Sequence, residues 1–188
     1  MWVLESSRSL LKYNALQNNA CGILWYLYNG YINWEREYIM GTRSLTFVYE
    51  KYGQIQKPVV NMYRQFDGYP EGHGAELAEF LNGGRLVNGL SATKTVKEVV
   101  FNGMGCLAAS MVAHFKQTPG GFYIHPVDIT DCGQDYDYHI YDSGKGLYIE
   151  VVNCGCNFFG MSGDTHDIIF KGNLKEFTEF CKEKETVD

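Results

Sequence analysis

A chain of 188 residues, 45% hydrophobic and 20% charged, has the composition of a folded globular protein and the length of one domain with one core. Its net charge of −6, with no Lys/Arg cluster, argues against a nucleic-acid backbone as partner. No apolar run reaches membrane-spanning length, since "ILWYLYNGYI" (23–32) is broken by Asn29 and Gly30.

In chain order, residues 1–39 show neither clean alternation nor a helix cap. They read as an N-terminal extension, with the domain, 40–188, starting at Met40. "SLTFVYE" then alternates, placing Leu45, Phe47 and Tyr49 on one strand face. "KYGQ" is a turn and "PVVNMYRQF" a second strand, so the two form a hairpin. "DGYP" is turn chemistry. "HGAELAEFLNGG" follows as a short helix with Leu77, Phe80 and Leu81 on its buried face and Gly83 as its stop. Residues 84–99 read as loop.

"NGMGCLAASMVAHFKQTPGG" carries the strongest helical period: Met104, Leu107, Ala108, Met111, Val112 and Phe115, with Asn102 as the expected cap. "GFYIHP" is a strand. In "DYDYHIYDSGKGLYIEVV" a loop at Ser143–Gly146 pairs Asp142 with Leu147. Ile140 then meets Ile149, Tyr138 meets Val151 and His139 meets Glu150, whereas a one-residue slip would mix the apolar and polar faces. "HDIIFKG" is a last strand. Asn173 and Glu176 form a capping box for a final helix with Leu174, Phe177 and Phe180 on its face. This order predicts an α+β fold: an antiparallel or mixed sheet of about five to six strands with about three helices packed on one side.

Six cysteines with no secretory signal ahead of them point to a reduced, cytoplasmic setting. The one close pair, Cys154-Gly155-Cys156, lacks the second pair that zinc sites use, so no structural metal or cofactor is expected.

The segments "MGTRSLTFVYE", "MYRQFDGYPEGHGAELAEFL", "FNGMGCLAASMVAHFK" and "GGFYIHP" resemble a family of small proteins from bacteria, phages and other viruses. Its members open with a Thr-Arg-Ser/Ala strand and carry a Tyr-Arg/Lys-x-x-Asp-Gly-Tyr-Pro motif. The resemblance spans about residues 40–181 and implies a domain start at Met40. It implies no activity and carries over no catalytic residue.

Three chemical readings compete. In the first, the turn residues Asp67, Tyr69, Glu71 and His73, with Arg64, form a ligand site. The helix start attracts an anion and Arg64 offers a fork for phosphate or carboxylate. In the second, Cys106 at a helix start is a nucleophile with His125 or His139 as base, the layout of papain-like cysteine hydrolases, and Asp137 or Glu150 orients the base. In the third, Asp67, Glu71 and His73 hold a metal for hydrolysis. The bland alternatives are turn formers, small buried thiols and a strand-ending His125-Pro126. The leading expectation is a small binding module without cofactor. Its partner would be a small anion, a nucleotide or a host protein, in a phage or viral accessory role.

Overall fold

The computed structural model describes residues 41–89, 99–155 and 166–185. The chain divides between Met40 and Gly41, and every described residue belongs to the second unit. The extension at 1–39 and Cys156 of the close cysteine pair lie outside the described residues.

Strands β1 (Ser44–Tyr52) and β2 (Ile55–Arg64) form the expected antiparallel hairpin around Gly53, whose φ of +64° suits a glycine turn. A π-helical turn, Pro70–Gly74, leads into α1 (Ala75–Asn82). Part of the stretch read as loop is extended: β3 (Arg85–Val87) pairs in parallel with β4 (Val100–Asn102). Three residues are too few to show a period, so this ribbon had no sequence signature. Then follow α2 (Gly103–Phe115), β5 (Phe122–His125), β6 (Tyr136–Asp142), β7 (Leu147–Asn153), β8 (Asp167–Asn173) and α3 (Leu174–Glu185).

The main sheet has the order β5-β2-β1-β6-β7-β8 and is open. Strands β1 and β6 run parallel and the other described neighbours antiparallel, which makes the sheet mixed and the fold α+β. The β6–β7 register is the one the hydrophobic pattern requires, with Asp142 opposite Leu147, Ile140 opposite Ile149, His139 opposite Glu150 and Tyr138 opposite Val151. Val48, Met62, Tyr138, Ile140, Ile149 and Val151 project from one sheet face into a core that also takes Leu77 and Leu81 of α1, Leu107 and Met111 of α2, and Phe177 of α3. All three helices therefore cover one face. Each such fully buried side chain contributes about 1.5–3 kcal/mol of transfer free energy.

Strand β1 shows what alternation alone leaves open. Its helix-side residues are Ser44, Thr46 and Val48, and Leu45 and Phe47 lie on the opposite face; all five are buried. The central position of β1 explains this, because both of its faces are covered. On the second face the connection after β5 crosses the sheet: Asn61 Nδ2 donates to the carbonyls of Pro126 (3.1 Å) and Ile129 (2.7 Å), and Gln134 Nε2 donates to Asp137 (3.0 Å).

The two helix caps divide. Asn102 does not cap α2; its Oδ1 accepts the Gly89 N–H at 3.0 Å and ties down the chain after β3. At α3 the capping box forms in both directions: Asn173 Oδ1 accepts from Glu176 N (3.1 Å) and Glu176 Oε2 accepts from Asn173 N (2.8 Å). Replacing Asn173 by Ala removes the acceptor and is expected to cost about 1 kcal/mol, read as a lower urea midpoint with unchanged slope.

Candidate functional site

The segment between β2 and α1 is folded tightly against β1. Asp67 has φ of +55°, a left-handed conformation that its short polar side chain tolerates. Its carbonyl accepts the His73 N–H at 2.7 Å, closing the loop, and Gly68 N donates to the Thr42 carbonyl at 2.9 Å. Tyr138, buried in β6, donates its hydroxyl to the Gly68 carbonyl at 2.9 Å. A Cβ at Gly68 would lie 2.6 Å from the Arg43 carbonyl carbon, and one at Gly72 2.6 Å from the Asp67 oxygen. These glycines serve close backbone approach.

The five ligand residues expected from sequence are split by this geometry. His73 turns inward and is 0% exposed. Its Nδ1 faces Arg64 Nη1 at 3.2 Å and its Nε2 faces Thr46 Oγ1 at 2.9 Å. A guanidinium can only donate, so Nδ1 is the acceptor and the tautomer with hydrogen on Nε2 donates to Thr46. Burial first, and the Arg64 charge second, lower the His73 pKa to about 3, so the ring is neutral at pH 7. Arg64 is committed as well: Nε donates to the Phe66 carbonyl at 2.7 Å, while Nη1 and Nη2 grip the Glu76 carboxylate, the second at 3.2 Å. Asp67 and Tyr69 are exposed and Glu71 is half-buried.

The metal reading fails on this arrangement. Both imidazole nitrogens of His73 are engaged in the core, away from the exposed Asp67 carboxylate. Among the described residues no group of three His, Cys, Asp or Glu side chains is placed to hold a metal ion.

The cysteine-hydrolase geometry is not assembled either. Cys106 is exposed on α2, on the helix side of the sheet. His125 stacks on Tyr63 at 5.0 Å and His139 on Phe47 at 5.2 Å, both on the face away from the helices. The sheet therefore stands between nucleophile and base. The register of β5 and β6 causes this, since Phe122 and Tyr138 take the core side and leave the neighbouring histidines on the other. The expected orienting acids have other partners: Asp137 takes Gln134, and Glu150 pairs with Lys171 at 2.7 Å. His139 Nδ1 and the Tyr49 hydroxyl lie 3.0 Å apart in a hydrogen bond, and burial lowers the His139 pKa against the opposing pull of Glu150. Burial pushes the Cys154 and Cys181 thiols up to about 12, with Asp137 adding to the first and Glu71 to the second, so neither is a thiolate at neutral pH.

What the structure does bring together is a cleft of about 940 Å³ between α1, the end of α2 and the chain ends around β2 and β5. Arg64 and Asp67 line it, whereas Tyr69, Glu71 and His73 do not. Its floor is aromatic: Phe80 lies 5.4 Å from Phe101, 4.7 Å from His114 and 5.8 Å from Phe115 between ring centroids. Phe66, 46% exposed, stands at its rim with Glu76 and Glu79. Sequence reasoning placed Phe80 and Phe115 only as helix-face residues. Both are only partly buried where they pack against the core, which the helical period alone does not reveal. Comparison with protein-family models, curated proteins and solved structures gives no match for this chain. Among the described residues no helix is long and apolar enough to cross a membrane.

Proposed function

We propose that the unit starting at Gly41 is a binding module that takes its ligand in the aromatic cleft. The observation that carries this reading is the cleft itself: an apolar floor open to solvent, rimmed by a few charged groups. The two expected ligand residues that reach it, Arg64 and Asp67, come from the segment that the sequence marks most densely. The binding reading is better supported than either hydrolase reading, because the groups those readings need stand apart. A cytoplasmic setting accords with the free thiols of Cys106, Cys132, Cys154 and Cys181. A phage or viral accessory role rests on the resemblance of the four quoted segments.

The test is a nuclear magnetic resonance screen of aromatic fragments and short peptides against the full chain. Shifts are expected at Phe66, Phe80, Phe101 and His114. Phe66→Ala is expected to weaken any hit about tenfold, as loss of an aromatic anchor does, while changing stability by no more than about 0.5 kcal/mol at this half-exposed position. Shifts that map elsewhere, or hits indifferent to Phe66, would remove the cleft as the site.

A further inference from the structure

We infer that the occupant of the cleft is a basic segment of a partner protein, with lysine or arginine side chains set among apolar ones. This inference rests on the binding-module reading above. The chain's sequence suggests the opposite, an anion held by Arg64, and the geometry disfavours that option. Four of the five Arg64 N–H donors already serve Glu76, His73 and the Phe66 carbonyl, so a phosphate finds one N–H left and meets the Glu76 carboxylate on the same guanidinium. The cleft lining holds one guanidinium against three carboxylates, Asp67, Glu76 and Glu79. The Lys116 ammonium, bonded to the Gly120 and Phe122 carbonyls, adds one cation at its wall, so carboxylates still outnumber cations there. With Arg64 and Glu76 paired to each other, Asp67 and Glu79 are left with no ion-pair partner among the described residues.

Two unpaired carboxylates on different elements, one on the turn and one on α1, flank an aromatic floor. That combination favours an organic cation twice over. The carboxylates offer Coulomb attraction, and the exposed Phe66 ring at the rim offers a cation–π contact of about 0.5–2 kcal/mol. The net charge of −6 adds long-range steering for a basic partner. A polypeptide fits better than a small cation because about 940 Å³ is the upper end of a small-molecule pocket. One wall is Gly120-Gly121, with φ of +79° and +69°, where the absence of side chains lets a second backbone approach closely.

The experiment uses three short fluorescein-labelled peptides that share a Phe/Leu frame and carry Lys, Gln or Glu at the intervening positions. Anisotropy is read with the full chain, with Phe66→Ala and with the double variant Asp67→Asn/Glu79→Gln. The expected result is a Lys peptide bound about tenfold or more tightly than the Gln peptide, a preference that falls to about threefold or less in the double variant. A Lys preference that survives the double variant overturns the inference, since general acidity then explains it. Equal or tighter binding of the Gln or Glu peptide, still weakened by Phe66→Ala, overturns the cation and leaves the module standing. No binding by any of the three, or binding indifferent to Phe66→Ala, overturns both.

Discussion

Acidification is expected to unfold this domain chiefly through one side chain, His73. Its folded pKa is about 3, against 6.5 for a free imidazole, because the ring is fully buried and faces a guanidinium. Between those two values the unfolded chain binds a proton that the folded chain refuses. Stability is thus complete above pH 6.5 and is lost as the pH falls toward 3, by on the order of 5 kcal/mol in total. That is comparable to the whole stability of a small domain. His139, also lowered by burial, adds in the same direction. Asp137 opposes: burial raises its folded pKa, so it contributes stability as the pH falls through that value. Urea midpoints followed by circular dichroism from pH 7 to 4 provide the measurement, with His73→Gln as comparison. Gln can still donate to Thr46 and accept from Arg64 but carries no titrating group, so its midpoint should fall much less over this range. Parallel curves for wild type and variant would show that His73 is not held neutral in the core.

The same residue shows where sequence reading stops. The turn chemistry of Asp67-Gly68 and Tyr69-Pro70 was legible, because it depends on neighbours in sequence. The inward course of His73 was not. It depends on Thr46, 27 positions earlier on a strand whose two faces are both buried, and on Arg64 at the end of β2. The β6–β7 register and the α3 capping box were legible for a related reason: each is local, and each has one arrangement that satisfies every group. The separation of Cys106 from His125 and His139 needed the orientation of two strands relative to a helix, which no local pattern contains. The cleft was hidden in the same way. Phe80, Phe101 and Phe115 belong to three elements and become one floor only after those elements meet.

Replacing Gly68 by Ala is expected to cost about 3 kcal/mol, although it adds a single methyl group. The new Cβ would sit 2.6 Å from the Arg43 carbonyl carbon and 2.8 Å from the Ser44 nitrogen. Both are main-chain atoms of the segment entering β1, where no side chain can rotate away. Ser44 is fully buried, and the preceding chain is held by Arg43 N donating to Asp135 at 2.8 Å and by Gly68 N itself donating to Thr42. Relief therefore requires the turn to lift off β1, which breaks the bond from Tyr138 to the Gly68 carbonyl and leaves a buried hydroxyl unpaired. Gly105→Ala is the control. Its Cβ would meet nothing nearer than Glu50 Oε2 at 3.7 Å, and it lies inside α2, so the gain in helix propensity should stabilise the protein by up to about 1 kcal/mol. Opposite signs for two Gly→Ala changes, read as urea midpoints, are the expected result, and a neutral Gly68→Ala would mean the turn is not seated on β1. Because Phe66 and Asp67 ride on that turn, the variant is also expected to lose cleft binding at temperatures where it remains folded, which ties the glycine to the site it positions.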